Sequence, residues 1–425
     1  MKVAKGYKQT DIGVIPEDWE VLKLSDLTFK IGSGITPTGG EKVYKDKGRP
    51  FIRSQNVGWG NLNLGDVAFI DDETHSTFQA TEIKLNDVLL NISGASIGRS
   101  AIADERIVNG NVNQHVCIIR TNDKILNPYY LNAFLLSYKG QNLIDSFQTG
   151  GNRQGLNFGQ IKTFLIAFPP NIKEQKAITK ALTETDAFIA DLEKLIFKKK
   201  NIKQATMQIL LTGKKRLKGF TGEWKEQRFP NVCWYQEGPG VRNKQFTTSG
   251  VKLLNGTNIN RGKLKLDATD RYISEKVALG FYSHFLVDDG DILIACSGIT
   301  IDKFHEKVTI AKAYHLPLCM NTSTMRFKVT SKKLVKEFLF YFLQSDSFKN
   351  QIGGKATGSA QLNFGPSHVK MVSINLPEPQ EQIAISNILS NIDKEIESLQ
   401  QQLSKYQFMK QGMMQNLLTG KVRLV

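Results

Sequence analysis

The chain has 425 residues, of which 40% are hydrophobic and 23% are charged, so it is too long for one ordinary core and we expect two or three globular domains. Its 56 Lys and Arg against 40 Asp and Glu give a net charge of +16, which favours a polyanionic partner, most commonly nucleic acid. The sequence has neither an 18-residue apolar run nor an apolar segment near its start, so we expect no membrane span and no secretory signal, and we infer the cytoplasm.

The first globular domain is predicted at residues 1–169, where short apolar runs alternate with polar loops. The runs GDVAFID (65–71), DVLLNIS (87–93) and QHVCIIR (114–120) are bounded by Gly, Asn and Asp, which is typical of strands. NPYYLNAFLLSY (127–138) predicts a helix with Pro at its first position. The domain is therefore predicted to be β-rich with a few helices.

A long spacer helix is predicted at residues 170–214. Apolar residues recur there at alternating intervals of four and three, which is the a/d spacing of a coiled coil. Asn171 and Glu174 predict a capping box at its start, and Gly213 falls where a C′ glycine ends a helix. Such a helix of about 40 residues would be roughly 60 Å long at about 1.5 Å per residue.

The same helix is repeated at the end of the chain, in residues 377–425. LLTGK occurs at 210–214 and again at 417–421, and Glu-Gln occurs at 174–175 and again at 381–382, both at an offset of 207. Gly420 takes the place of Gly213, and the a/d spacing keeps its register. We therefore predict an antiparallel pair of helices, whose apolar seam positions are Ile178, Leu182, Ile189, Leu192, Ile196, Ile385, Leu389, Ile392, Ile396, Leu399 and Leu403.

The region between the two helices, residues 215–376, repeats the first globular domain more weakly. DVLLNISG (87–94) is similar to DILIACSG (291–298), and FIRSQNV (51–57) is similar to LLNGTNI (253–259). VKEFLFYFLQS (335–345) predicts the helix that corresponds to 127–138. The predicted fold class is α+β, with two β-rich domains related by an internal pseudo-two-fold repeat and separated by an antiparallel pair of long coiled-coil helices.

The polar loops of both halves are the candidate nucleic-acid contacts. Arg, Lys, Asn, Gln, Ser and Thr donate and accept hydrogen bonds to bases and phosphates, although the same residues are common in ordinary turns. The candidates are Arg53, Gln55, Asn56, Ser93, Ser96, Arg99, Asn111, Asn113, Gln114, Arg153 and Gln154 in the first half, and Arg242, Lys244, Asn255, Thr257, Asn258, Ser297, Asn321, Thr322, Lys355, Ser359 and Gln361 in the second.

Catalytic and metal-binding patterns are not found in the sequence. GITPTGGEK (34–42) has Gly40 where a P-loop requires Lys, and NPYY (127–130) has Tyr129 where the amino-methyltransferase motif has a second Pro. No HExxH, GxSxG or nuclease pattern is present. The four cysteines form no CxxC pair, so we expect no metal site, no bound cofactor and no catalytic residue.

These features together resemble the specificity subunit of a type I restriction–modification system. The opening GYKQTDIGVIPEDWEVLKLSDL (6–27) is similar to the opening of that family, the helices that end in LLTGK resemble its two spacer regions, and the Gly-rich loops before LNFG (156–159 and 362–365) resemble its recognition loops. The second copy, FTGEWKEQRF (220–229), keeps Trp224 and lacks the Ile-Pro of the opening.

The resemblance implies two target recognition domains, each of which binds one half of a split double-stranded DNA site. It also implies partners, namely two methyltransferase subunits that methylate adenine at N6 and restriction subunits that translocate and cleave DNA. S-adenosylmethionine, ATP and Mg²⁺ would belong to those subunits, and this chain would be non-catalytic.

Two other functions remain open from the sequence. A self-contained restriction–modification enzyme would need catalytic motifs, which the sequence lacks. A coiled-coil scaffold without DNA specificity would not need a net charge of +16.

Overall fold

The computed structural model describes residues 4–148, 155–268, 271–353 and 361–424. It divides into two compact units. Unit 1 contains residues 1–193 and 401–425, and unit 2 contains residues 194–400. Each unit therefore combines one globular half with part of each long helix.

The first globular half consists of short strands and helices. In chain order they are β1 (Tyr7–Thr10), β2 (Gly13–Pro16), β3 (Glu20–Lys23), β4 (Thr28–Ser33), β5 (Arg49–Ile52), β6 (Ala68–Ile70), α1 (Asp72–Ser76), β7 (Val88–Asn91), β8 (Ser100–Ile102), β9 (Asn111–Val112), β10 (Val116–Thr121), α2 (Pro128–Leu136), α3 (Tyr138–Ser146), α4 (Phe158–Lys162) and β11 (Leu165–Phe168), followed by the long helix α5 (Ile172–Leu210).

The second globular half has a similar series of elements. They are β12 (Lys225–Arg228), β13 (Cys233–Glu237), β14 (Val251–Leu254), β15 (Ile259–Asn260), β16 (Lys263–Leu264), β17 (Tyr272–Ile273), α6 (Glu275–Leu279), β18 (Ile292–Ala295), β19 (Ile299–Thr300), β20 (Val308–Ile310), β21 (Leu318–Met320), β22 (Thr324–Val329), α7 (Lys336–Gln344), α8 (Asp346–Gln351), β23 (Gln361–Leu362), α9 (Pro366–Val369) and β24 (Ser373–Leu376), followed by the long helix α10 (Pro379–Leu417).

The strand orders of the two halves correspond. The sheet β4-β10-β7-β8 of unit 1 corresponds to β13-β22-β18-β20 of unit 2, and β6-β5-β9 corresponds to β17-β14-β21. The pairs β5–β9 and β14–β21 are both parallel, whereas the pairs of the first two sheets are antiparallel. The predicted α+β class and the internal repeat are confirmed, and β6, β7, β10, α2 and α7 lie where the sequence predicts them.

Each unit has a main core that takes up residues from both long helices. In unit 1, Trp19 and Tyr130 are fully buried in a cluster that also contains Ile178 of α5 and Leu417 of α10. In unit 2, the corresponding cluster surrounds Phe229 and Phe348 and includes Leu210 of α5 and Ile385 and Leu389 of α10. Hydrophobic burial is the main force that attaches the helices to the globular halves.

Helices α5 and α10 each have 39 residues, and the predicted seam positions are buried or half-buried in both. Salt bridges show that the helix segments run antiparallel within each unit. In unit 2, Lys199 pairs with Glu395 and Lys203 pairs with Asp393 at 2.7 Å, so the residue number rises in one helix as it falls in the other. In unit 1, Lys410 and Asp186 form the equivalent of the Lys203–Asp393 pair at 2.5 Å.

The cap of α5 differs in part from the prediction. Asn171 Oδ1 accepts a hydrogen bond from Lys173 N at 3.0 Å, as a capping residue does. The carboxylate of Glu174, however, binds the guanidinium of Arg423, with Arg423 Nη2 at 2.8 Å from Glu174 Oε2. Glu174 was therefore wrongly predicted as a capping-box residue, because its carboxylate serves a long-range ion pair.

Candidate nucleic-acid interface

The polar loops of unit 1 are joined around Asn91, at the end of strand β7. Asn91 Nδ2 donates to Ser54 O at 2.8 Å, and Asn91 N donates to Arg99 O at 2.8 Å. These two bonds bring the loop that carries Arg53 and Gln55 next to the loop that carries Ser93, Ser96 and Arg99. Loops distant in the sequence therefore form one polar surface.

A third loop of unit 1 joins the same surface through His115. Ser93 Oγ and His115 Nδ1 are 2.6 Å apart, and Gln114 Nε2 is 3.2 Å from His115 Nε2. Ser93 also forms a bridge with Gly155, where the Gly-rich loop ends. The surface therefore adjoins Gly155, the residue that precedes LNFG (156–159).

Unit 2 assembles its loops in a similar way with other side chains. Asn321 Nδ2 donates to Asn255 Oδ1 at 2.9 Å. Gly298 N and Ser297 Oγ both donate to Asn363 Oδ1, at 2.8 and 3.0 Å. Asn321 thus joins the loop before β22 to the loop after β14, and Asn363, which follows β23, joins the loop before β19.

Twelve of the candidates have side chains that are at least partly exposed to solvent. Arg53, Ser93, Ser96 and Arg99 are half-buried, and a larger set is exposed, namely Gln55, Gln114, Arg242, Lys244, Thr257, Ser297, Thr322 and Gln361. Arg53 and Gln55 also hydrogen-bond to Asp66, at 3.0 Å to its carbonyl and 2.7 Å to its carboxylate. Hydrogen-bond donors dominate this set, which suits bases and phosphates.

Six candidate asparagines are instead buried, namely Asn56, Asn111, Asn113, Asn255, Asn258 and Asn321. Asn56 Oδ1 accepts from Arg53 N at 3.0 Å, and its repeat equivalent Asn258 accepts from Asn255 N at 2.9 Å. Asn111 Oδ1 is 2.7 Å from His75 Nδ1 in the interior. Because their amides are used inside the protein, we assign these six residues to holding the loops in place rather than to contacting DNA.

Four candidates lie outside the described residues, namely Arg153, Gln154, Lys355 and Ser359. Their contact with DNA stays a prediction from the sequence.

Sequence reasoning missed two exposed side chains that adjoin these loops, Trp59 and Arg261. Both occupy the tip of a short hairpin, and Trp59 is 58% exposed. The alignment of the two repeats could have identified this position. The similarity of FIRSQNV to LLNGTNI continues without a gap at the same offset of 202, and it aligns Trp59-Gly60 with Arg261-Gly262.

Two ionisable side chains beside these loops, Cys296 and Glu237, have raised pKa values. Burial raises the pKa of the Cys296 thiol to about 12, so this thiol stays protonated at neutral pH. Burial also raises the pKa of Glu237, the carboxylate that lies beside Gly365. Within the described ranges, no group of His, Cys, Asp and Glu side chains is arranged to hold a metal ion.

Helices that could span a membrane are not found among the described residues.

The protein therefore consists of two copies of one α+β domain, and the two copies present different polar loops. This arrangement is that of a duplicated recognition protein. The family model for the type I restriction modification DNA specificity domain matches the chain twice, over residues 16–204 and 221–405. These matches cover most of the sequence, and the chain belongs to this family. The resemblance inferred from the motifs is therefore confirmed.

Two curated relatives match over nearly the whole chain. The putative type I restriction enzyme MjaX specificity subunit of Methanocaldococcus jannaschii is 27% identical over 441 residues, which cover 99% of this chain and 97% of the relative. The MjaVIII specificity subunit of the same organism is 25% identical over 424 residues, which cover 96% and 94%.

Solved structures share the fold at lower identity. The type I restriction–modification S subunit from M. genitalium has a TM-score of 0.56 and 13% identity, with 98% of each chain covered. A chain from a study of complex assembly and conformational transition of the type I R-M system has a TM-score of 0.60 and 14% identity, with 96% of this chain and 99% of that chain covered.

Proposed function

We propose that each unit of this chain binds one half of a bipartite double-stranded DNA site and thereby sets the sequence at which an enzyme complex acts. One observation carries the proposal. The two units share the same strand order and the same loop hydrogen bonds, but their loops expose different side chains. At equivalent positions of the repeat, unit 1 presents Gln55 and Gln114 where unit 2 presents Thr257 and Thr322. Buried asparagines hold the loops in both units, so the variable side chains can differ without loss of the frame.

We infer that the partners are two adenine-N6 methyltransferase subunits and the restriction subunits of a type I system. Support comes from the names of the relatives, which are specificity subunits of type I restriction enzymes, and from a solved chain that belongs to an assembled type I system. Methyl transfer, translocation and cleavage, with S-adenosylmethionine, ATP and Mg²⁺, are assigned to those partners.

A binding experiment with and without the partners tests this function. The chain together with its methyltransferase should shift random duplex DNA in a gel and methylate one bipartite sequence, because base contacts add specificity to phosphate binding. The purified chain alone should neither methylate nor cleave DNA. A complex that methylates without any sequence preference would instead favour the alternative, a coiled-coil scaffold without DNA specificity.

A further inference from the structure

Two short hairpins occupy equivalent positions in the two units. In unit 1 the chain turns between Val57 and Leu62, which form an antiparallel bridge. In unit 2 it turns between Ile259 and Leu264, which pair antiparallel at the ends of β15 and β16. The offset is 202 at both ends, so the turns have equal length, and Trp59 corresponds to Arg261.

The same hydrogen bonds hold the hairpin in both units. Asn56 Nδ2 donates to Asn63 O at 2.9 Å, and Asn258 Nδ2 donates to Lys265 O at 3.0 Å. The return hydrogen bonds, from Asn63 N to Asn56 O and from Lys265 N to Asn258 O, are both 2.8 Å long. One buried asparagine therefore closes each hairpin in the same way.

A second contact fixes each hairpin to the neighbouring part of its own unit. Gly60 N donates to Ser100 O at 2.9 Å, next to the candidate Arg99. Gly262 N donates to Glu306 O at 2.8 Å. Both glycines have a positive φ, 87° and 71°, which glycine adopts at little cost. The two tips are therefore presented from rigid and equivalent turns.

The tip side chains differ completely in chemistry. Trp59 is 58% exposed on its fixed turn, so most of its indole ring is accessible to a ligand, and aromatic side chains contribute large contact areas to interfaces. Arg261 has φ 51°, a left-handed conformation that is unfavourable for a residue other than glycine. Backbone strain of this kind persists most often at functional sites.

The surroundings of Arg261 favour a polyanion. Arg261 and Lys263 line a cavity of about 450 Å³ in unit 2, together with Lys200, Lys203 and His305. Three carboxylates also line it, and two of them are already paired, Asp393 with Lys203 at 2.7 Å and Glu397 with Lys263 at 2.8 Å. The guanidinium of Arg261 and the ammonium of Lys200 then stand against one carboxylate, that of Glu306, so the wall keeps a net positive charge, which suits phosphates and guanine edges.

We propose that the two hairpin tips are specificity-determining DNA contacts: Trp59 packs its indole ring against a base edge of the half-site bound by unit 1, and Arg261 donates hydrogen bonds to a base edge of the half-site bound by unit 2. The proposal rests on the proposed function and adds two residues to its recognition surface. A constant frame with a variable tip is the arrangement that lets two copies of one domain bind different sequences.

The test for Trp59 uses the complete complex with its methyltransferase. Trp59→Ala should weaken binding of the cognate duplex by about 5- to 150-fold, the range for loss of the contacts to one base pair of a specific site. It should also relax base preference in one half-site only, and Trp59→Phe should retain most of the preference. The matched control is Phe29→Ala, since Phe29 is a 71% exposed aromatic residue on β4 of the same unit.

The matching test for Arg261 compares Arg261→Ala with Lys332→Ala, an exposed cation in the turn after β22. Arg261→Ala should relax preference in the half-site that Trp59→Ala leaves intact. A uniform loss of affinity on all sequences, with the salt slope reduced by about one, would overturn the assignment of a base contact, since it marks a phosphate contact.

The outcomes separate this inference from the proposed function. If the unmodified complex has no bipartite specificity, the proposed function fails. If the unmodified complex is specific and both tip variants, at unchanged melting temperature, keep its affinity and base preferences, only the inference about the hairpins fails.

Discussion

The residues that the two repeats share are explained at the residue scale by buried contacts within each unit. Glu174 and Glu381 are each 1% exposed. Glu174 binds Arg423, and Glu381 binds Arg216 at 2.6 and 2.7 Å. The neighbouring Gln175 joins backbone atoms of three residues of unit 1, Ile125, Asn127 and Pro169. Each of these contacts requires a particular side chain at a particular position, which explains why the two repeats have identical residues there.

Arg423→Ala tests how much the ion pair between Glu174 and Arg423 contributes to the stability of the fold. It would leave the carboxylate of Glu174 buried without its cation, which costs about 2 kcal/mol of the free energy of unfolding once the partial exposure of Arg423 is allowed for. Urea denaturation measures the loss. The control Lys421→Ala, on an exposed neighbour, should change stability by less than about 0.5 kcal/mol. Equal effects of the two variants would show that the pair contributes nothing specific.

The same guanidinium makes a pH-dependent contact with Asp18. Its hydrogen bonds hold the pKa of Asp18 below the ordinary value. A lowered pKa stabilises the fold at pH values above the ordinary aspartate value near 4 and loses this contribution as the pH falls through the lowered pKa. In a urea series from pH 6 to pH 2, Asp18→Asn should show a shallower fall in stability than the unmodified chain. An identical pH profile would contradict this role.

The repeated residues can be identified from the sequence, but the role that local spacing predicts for one of them, Glu174, is wrong. Glu174 stands three residues after Asn171, which fits a capping box. Its actual partner, Arg423, is 249 residues away, and local spacing contains no information about such a contact. For the same reason the buried Asn111 and the exposed Gln114 looked equally suited to bind DNA.

At the element scale, the C-terminal ends of α5 and α10 have the same backbone conformation but pack against different residues. Gly213 has φ 69° and Gly420 has φ 68°, as expected of C′ glycines. A Cβ on Gly213 would lie 3.4 Å from the ring of Trp224, whereas a Cβ on Gly420 would lie 2.2 Å from Pro16 Cγ. The opening segment of unit 1 therefore packs tightly against the end of α10.

Substitution of the two glycines tests this difference. Gly213→Ala should cost about 1 kcal/mol, the strain of a left-handed alanine. Gly420→Ala should cost clearly more, because Pro16 is a rigid ring that would have to move. Thermal unfolding of both variants gives the comparison. Equal melting temperatures would mean that the contact between Gly420 and Pro16 is looser than the structure shows.

Periodicity predicted the long helices and their antiparallel pairing, but it did not predict how the strands pair. The three- and four-residue spacing of Ile178, Leu182 and Thr185 is enough to find α5, because helical burial repeats locally. Strand order depends on contacts such as β5 with β9, where Phe51 pairs with Asn111. Pairings of that sequence separation depend on the whole core and cannot be inferred from one segment.

At the scale of the whole molecule, each unit draws on both ends of the sequence. Residues 401–425 complete unit 1, and residues 194–210 of α5 belong to unit 2. The two helices therefore belong to both units, and we expect their length to set the gap between the two half-sites.

One heptad added to each helix tests that expectation. Insertion after Leu192 and after Leu399 preserves the a/d seam, and both points lie next to the boundaries of the compact units. Seven residues lengthen a helix by roughly 10 Å, or about three base pairs of DNA. The recognised gap should grow by about two to four base pairs with unchanged half-sites. Four added residues should instead disrupt the seam and folding, and an unchanged gap in an active heptad variant would show that other subunits set the spacing.

The central claim is that this chain alone determines a bipartite methylation site. Single-molecule sequencing of methylated adenines in cells that express the chain with its methyltransferase tests it directly. We predict one motif with two specific half-sites, a non-specific gap and N6-methyladenine in both halves, which disappears when the chain is removed. Methylation that persists at the same motif without the chain, or a continuous motif without a gap, would contradict the account.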